Sequence, residues 1–116
     1  MQQIPEISVQ EVAAKRTNGD DFILVDVREP NELAIANLGD GITHLPLSQL
    51  AQEQLAAVPE NISQNKDAEI VIFCHHGGRS AQVTGWLKHQ GWTNVYNMVG
   101  GIDAYSIAVD PSIRRY

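Results

Sequence analysis

The 116-residue chain contains only one cysteine, Cys74. A single thiol cannot close an intramolecular disulfide, so the fold cannot depend on a disulfide framework. A free cysteine is most often a small, buried, apolar residue. Cys74 is therefore either an inert core residue or the reactive group of the protein, and its neighbours in the sequence must decide between the two.

The chain also lacks a long apolar run and an excess of positive charge. No stretch of about 18 apolar residues is present to span a bilayer, and residues 1–6 have neither the basic nor the apolar region of a secretory signal. The net charge of -6 disfavours nucleic-acid binding, which needs a basic surface. We therefore expect a cytoplasmic monomer that binds neither nucleic acid nor a membrane.

Strand and helix signals alternate along the chain, and this predicts one α/β domain over residues 1–116 with a mainly parallel sheet. Strands are predicted at residues 22–25, 42–45, 69–73 and 95–98. Helices are predicted from a Ser8-Glu11 capping box to residue 18, over residues 30–36, from a Ser48 cap to about residue 58, and over residues 80–90 and 102–108. Segment 61–67 is predicted to be a polar loop, and residues 110–116 a loosely docked tail.

The segment after the strongest strand signal carries the reactive groups. It runs Cys74-His75-His76-Gly77-Gly78-Arg79-Ser80 and joins the carboxyl end of a buried strand to a helix, where ligands bind in open α/β sheets. Adjacent glycines let the amides of residues 75–80 turn toward one centre, and the helix dipole adds positive potential. These donors should bring the pKa of Cys74 below the usual value of about 8.5.

The charge pattern of this region indicates an anionic substrate. From Cys74 to Ile102 the chain has no Asp or Glu, but it contains Arg79 and Lys88. A positive region on an acidic protein favours a small anion. Arg79 adds a permanent cation whose planar fork suits an oxyanion.

Three motifs, in this order, give the chain a resemblance to a known family. Cys-x-x-x-x-Arg at a strand end resembles the active-site loop of rhodanese sulfurtransferases. Segment 25–29 with Glu32 is similar to the amino-terminal motif of that family, and segments 91–97 and 100–102 are similar to its carboxyl-terminal motif. The family often has Gly-His-Ile-x-Gly-Ala after the first motif, and residues 36–41 depart from that pattern.

The resemblance implies a fold, a reaction and a site. The fold would be a three-layer α/β structure with a five-stranded parallel sheet flanked by helices. Cys74 would attack the outer sulfur of an anionic donor such as thiosulfate and pass it to a thiol or cyanide acceptor, a carrier protein included. Arg79 would be the second catalytic residue, and no cofactor or metal would be needed. The residues expected to bind substrate are His75, His76, Gly77, Gly78 and Ser80.

Two alternatives stay open at this point. A phosphatase or arsenate reductase on the same scaffold would also use a thiolate in an amide cradle that ends in Arg. Four residues separate Cys74 from Arg79, whereas the related cell-cycle phosphatases have five and a wider cradle. A non-catalytic interaction module is the other alternative, and retention of Cys74 and Arg79 argues against it.

Other polar and aromatic side chains favour structural roles. Asp26 and Arg28 are expected to form a supporting ion pair. His75 and His76 have poor spacing for a metal site because neighbouring side chains diverge, and at least one imidazole should face the entrance. The aromatic residues Trp86, Trp92 and Tyr96 are expected in the core or at its edge, while Tyr105 could also border the pocket.

Overall fold

Short apolar runs form one parallel β-sheet in the computed structural model, which describes residues 3–116. The strands are β1 (Glu6–Ile7), β2 (Ile23–Asp26), β3 (Thr43–His44), β4 (Ile70–Phe73) and β5 (Val95–Met98), in the sheet order β1-β5-β4-β2-β3. Every neighbouring pair is parallel. All four residues of β4 are buried because this central strand is covered on both faces. The expected five-stranded α/β fold is confirmed.

Within residues 3–116, six α-helices connect and cover the strands. They are α1 (Val9–Asn18), α2 (Pro30–Ile35), α3 (Leu47–Glu53), α4 (Glu60–Ser63), α5 (Gly78–His89) and α6 (Gly101–Ala108), and a 3-10 turn (Gln54–Ala57) joins α3 to α4. The predicted capping box begins α1. The amide of Glu11 donates to Ser8 Oγ at 3.0 Å, and the amide of Ser8 donates to Glu11 Oε1 at 3.3 Å. No helix within residues 3–116 is both long and apolar enough to cross a bilayer.

The two faces of the sheet carry separate apolar clusters, because alternate residues of a strand point to opposite faces. Ile70 and Ile72 of β4 belong to a cluster covered by α3, α4 and α5, and Val71 and Phe73 belong to one covered by α1 and α6. Trp92 is a core residue of the first cluster, and Trp86 packs at its edge. Tyr105 and the partly buried Tyr96 pack in the second, as expected for Tyr96.

The predicted helix that begins at Ser48 differs from the observed one at both ends. Helix α3 begins at Leu47 after Pro46, and the Ser48 hydroxyl donates to Glu29 at 2.5 Å instead of capping the helix. The helix ends at Glu53, because Gln54 adopts a left-handed φ of 54°. The Ser48 side chain thus makes a tertiary hydrogen bond to Glu29 where the sequence predicted a helix cap.

One further prediction was wrong in part, the docking of the mostly exposed tail was as expected, and one strand was missed. Segment 61–67 is not entirely a loop, since α4 covers its first residues and buries Ile62 completely. The tail 110–116 is docked, because the Ser106 hydroxyl donates to the Ile113 carbonyl at 2.6 Å and Arg115 donates to Asp103 at 2.8 Å. Strand β1 has only two residues, too few for a periodic signal. Residues 1 and 2, part of the segment inspected for a secretory signal, lie outside the described residues.

Candidate active site

The loop that contains Cys74 follows β4 and leads directly into α5. Gly77 precedes the helix with φ +108°, a conformation that favours glycine. Helix α5 therefore begins at Gly78, two residues before the predicted start at Ser80. The earlier start makes Gly78, Arg79 and Ser80 the first turn of the helix, whose amides have no partner within the helix.

Two backbone amides and one hydroxyl surround the sulfur of Cys74. The Gly77 amide lies 3.1 Å from Sγ, the Ser80 amide 3.4 Å and the Ser80 hydroxyl oxygen 3.3 Å. The Cys74 residue is only 2% exposed. Of the amides expected to converge, those of Gly77 and Ser80 lie within hydrogen-bond distance of Sγ.

The environment of Cys74 lowers the pKa of the thiol. Burial acts first and raises the pKa, because it disfavours the charged thiolate. Donors at the sulfur act in the opposite direction and prevail: the Ser80 hydroxyl, when its hydrogen points to Sγ, and the amides of Ser80 and Gly77. The pKa of Cys74 thus lies below its ordinary value, in the direction expected from the sequence.

Arg79 lies at the rim of the loop and is paired with Glu32 of α2. Its Nη1 is 2.5 Å from Oε1, and its Nη2 is 3.0 Å from Oε2. This pairing with Arg79, assisted by the Tyr116 hydroxyl and the Glu29 amide, lowers the pKa of Glu32 to about 2 despite partial burial. The loop is consequently less positive than segment 74–102 suggests, because Glu32 enters it from another part of the chain.

The two histidines of the loop have different surroundings. The His75 ring stacks on Tyr116 with 3.8 Å between centroids and 6° between planes. Its Nε2 is buried and makes no hydrogen bond to any residue between 3 and 116, and burial lowers the pKa of His75 below its usual value. The His76 side chain is 66% exposed, and its Nδ1 lies 3.8 Å from Asp103. His76 is therefore the imidazole that faces solvent.

Within the described part of the chain, no three His, Cys, Asp or Glu side chains are grouped closely enough to hold a metal ion. Tyr105 packs in the apolar cluster covered by α1 and α6. Its hydroxyl accepts a hydrogen bond from Arg16 at 3.2 Å, on that side of the sheet.

The carbonyl side of the loop is held by the start of α6. The amides of Ile102 and Asp103 donate to the carbonyls of Cys74 and His75 at 2.9 and 3.1 Å. Gly101 allows this approach, because a Cβ there would overlap both carbonyl oxygens. Sequence reasoning quoted Gly101 in a motif but missed this supporting role.

Asp26 and Arg28 form the expected supporting ion pair. Arg28 is fully buried, and its Nη2 lies 2.7 Å from Asp26 Oδ2. Arg28 also donates to the Ala36 carbonyl at 2.8 Å and to the Tyr116 hydroxyl at 3.0 Å. The same Tyr116 hydroxyl donates to Glu32 at 2.7 Å, so the buried pair is connected to the rim of the site.

Asn97 of β5 is a second residue that sequence reasoning missed at the site. Its Oδ1 lies 2.6 Å from the Ser80 hydroxyl, and its Nδ2 donates to the Gly77 carbonyl at 3.2 Å. Two signals were available: Asn97 ends the motif segment 91–97, and it lies near the carboxyl end of a strand that is paired with β4.

Comparison with known proteins places these features in a family. The family model described as rhodanese-like domain matches residues 8–108. The rhodanese-like/PpiC domain-containing protein 12, chloroplastic, of Arabidopsis thaliana is 42% identical, with 97% of this chain and 38% of that protein covered. This chain therefore spans well under half of that relative's length.

Two shorter proteins match over most of their length. A sulfurtransferase of Allochromatium vinosum is 32% identical, and the match covers 89% of each chain. The crystal structure of a rhodanese-like domain protein from Staphylococcus aureus superposes with a TM-score of 0.74 at 24% identity, over 97% of this chain and 99% of that one. This last likeness shows a shared fold.

Proposed function

The chain belongs to the rhodanese-like domain family, and on this premise we propose that it is a sulfurtransferase in which Cys74 carries the sulfur as a persulfide. The donor is a small sulfur anion such as thiosulfate, and the acceptor is a thiol, that of a carrier protein included, or cyanide. One domain over residues 1–116, a cytoplasmic location and a monomeric state stay predictions of the sequence.

The observation that carries the proposal is the enclosure of Sγ by the amides of Gly77 and Ser80 at 3.1 and 3.4 Å. Fixed donors of this kind stabilise a negative charge without reorganising as it forms. A thiolate and the outer sulfur of a persulfide are both anionic. The same loop can therefore stabilise the free and the loaded state of Cys74.

In the first step, the Cys74 thiolate attacks the outer sulfur of thiosulfate. A bond forms between Sγ and that sulfur, the sulfur-sulfur bond of thiosulfate breaks, and sulfite leaves with the bonding electron pair. Arg79 at the rim attracts the oxyanion of the donor, and Glu32 holds its guanidinium in place.

In the second step, the thiolate of the acceptor attacks the outer sulfur of the persulfide. The bond between that sulfur and Sγ breaks, and Cys74 leaves as a thiolate, returning to its initial state. The amides that stabilised the attacking thiolate also stabilise this leaving group.

Intact mass provides the direct test. The purified protein is incubated with thiosulfate, desalted and weighed beside the Cys74→Ser variant, and both are assayed for cyanide-dependent formation of thiocyanate. We expect the mass of one added sulfur atom and turnover in the wild type only. A wild type that gains no sulfur and readily hydrolyses an aryl phosphate would replace this function with the phosphatase alternative.

A further inference from the structure

The side chains of Cys74, Ser80 and Asn97 are buried and form a continuous chain of polar contacts. Ser80 Oγ lies 3.3 Å from Cys74 Sγ and 2.6 Å from Asn97 Oδ1. Ser80 is fully buried, Cys74 is 2% exposed and Asn97 is 5% exposed. Water is thus largely excluded, and these groups must find their hydrogen-bond partners within the protein.

The orientation of the Asn97 amide follows from its second partner. Only an N–H can donate to the Gly77 carbonyl, which lies 3.2 Å from Nδ2. The carbonyl oxygen Oδ1 must therefore face Ser80, and Oδ1 can only accept. At 2.6 Å, the Ser80 hydroxyl is the group that donates to it.

A serine hydroxyl has one hydrogen and two lone pairs. When that hydrogen points to Asn97, the oxygen presents a lone pair to Sγ. A protonated Cys74 can donate to this lone pair, but a thiolate is repelled by it. To donate to the thiolate, the Ser80 hydroxyl must turn away from Asn97 and leave Oδ1 buried without a donor.

We propose that Asn97 is a positioning residue that holds the Ser80 hydroxyl away from the sulfur and so restrains conversion of Cys74 to the free thiolate. The inference rests on the proposed function for its consequence, because the thiolate is both the attacking and the leaving group. The Ser80 hydroxyl lowers the pKa of Cys74 only when it has turned to the sulfur, and Asn97 opposes that turn.

In the persulfide state, Sγ and Asn97 Oδ1 no longer compete for the hydrogen of the Ser80 hydroxyl. Once Sγ is bonded to a second sulfur, the charge resides mainly on the outer atom, and Sγ no longer needs a donor from Ser80. The hydroxyl can then remain on Asn97. The arrangement therefore favours the loaded state over the free thiolate.

The test is the rate of iodoacetamide alkylation against pH. Cys74 is the sole cysteine of the chain, so the loss of thiol reports this residue alone. The measurement needs no sulfur donor, and its outcome is independent of whether the protein transfers sulfur. The variants are Asn97→Leu, which removes the acceptor at similar volume, Ser80→Ala, and the double variant.

We expect Asn97→Leu to lower the apparent pKa of Cys74 and to raise the alkylation rate near neutral pH by about three- to tenfold, the effect of one freed hydrogen bond. Ser80→Ala alone should not raise the pKa, because the hydroxyl hydrogen is committed to Asn97 and the oxygen presents only a lone pair to Sγ. In the Ser80→Ala background, Asn97→Leu should have no further effect.

The charged and titratable groups around the loop are unchanged in all of these variants. They are His75 and His76 of the loop, Arg79 of α5, Glu32 of α2, Asp103 of α6 and Tyr116 of the tail. A difference between the profiles therefore reports on the Ser80 hydroxyl or on displacement of the loop.

Three results would overturn the proposal. If Asn97→Leu raises the apparent pKa of Cys74 both in the wild type and in the Ser80→Ala background, Asn97 acts only by anchoring the Gly77 carbonyl. An unchanged profile in Asn97→Leu would mean that it has no influence on the sulfur. A large rise in pKa in Ser80→Ala alone would show that the hydroxyl already donates to the thiolate. The last comparison remains decisive if Asn97→Leu does not fold.

Discussion

Arg79 and Glu32 form a two-point ion pair between the first turn of α5 and helix α2, with nitrogen-oxygen distances of 2.5 and 3.0 Å. The pair joins the end of the Cys74 loop to a residue 47 positions away in the sequence. The sulfur donor proposed above would therefore share the Arg79 guanidinium with a carboxylate. Both the stability of the protein and the acidity of Cys74 should depend on this pair.

The first prediction concerns stability at low pH. The pKa of Glu32 is about 2 in the folded protein, against 4.5 ordinarily. A lowered folded pKa means that the stabilisation is complete above about pH 4.5 and is lost as the pH falls toward 2, by at most about 3 kcal/mol. Glu32→Gln should flatten this part of the profile in urea unfolding measured between pH 6 and pH 2.

The control for that experiment is Glu53→Gln, at the exposed end of α3. It should leave the pH dependence of the unfolding free energy as in the wild type. Equal pH dependence in Glu32→Gln and in the wild type would contradict the role of the ion pair.

The second prediction is that the two partners act on Cys74 in opposite directions. Arg79→Ala removes a cation and leaves a carboxylate, so the apparent pKa of Cys74 should rise and the donor should bind more weakly. Glu32→Gln removes the carboxylate, and the pKa should fall. Alkylation rates against pH measure both shifts. Lys88→Ala, at the far end of α5, is the matched control, and a profile unchanged in Arg79→Ala would refute the assignment.

The third prediction concerns Gly101, where α6 meets the loop. In Gly101→Ala the new methyl group would overlap the carbonyls of Cys74 and His75. Gly39→Ala also forces alanine to a positive φ, but nothing lies within 4 Å of its Cβ. Gly39→Ala should cost about 1–2 kcal/mol from the backbone alone. Gly101→Ala should cost more and also slow the alkylation of Cys74.

Thermal or urea unfolding measures the loss of stability in the two glycine variants. The rate of iodoacetamide alkylation measures the reactivity of Cys74. If the two variants lose equal stability and Cys74 reacts as in the wild type in both, close packing of α6 does not support the loop.

The fourth prediction tests the size of the loop. One glycine inserted between His76 and Gly77 should move the converging amides away from Sγ and reduce sulfur transfer steeply. A wider loop can surround a tetrahedral oxyanion, so hydrolysis of a small aryl phosphate is the second assay. Sulfur transfer at the wild-type rate in the insertion variant would show that the contacts of Gly77 and Ser80 with Sγ do not matter.

The sequence alone determined the fold class, the family and the position of the loop that contains Cys74. Apolar runs such as residues 70–73, the capping box at Ser8 and the order of Cys74, the two glycines and Arg79 are local features. Each of them depends on residues only a few positions apart, and for this reason each is visible without a structure. The pKa direction of Cys74 followed from the same local pattern.

The tertiary structure alone decided which distant residues complete the site. Glu32, Asn97, Gly101 and Tyr116 lie on four other segments. The first three reach the loop because the carboxyl ends of β2, β4 and β5 meet at one edge of the sheet, and Tyr116 reaches it because the tail docks on α6. Their contacts depend on packing and register, which no local pattern encodes. The same physics explains why Ser48 contacts Glu29 instead of capping α3, and why the tail docks on His75: a tertiary partner competed with a local preference and prevailed.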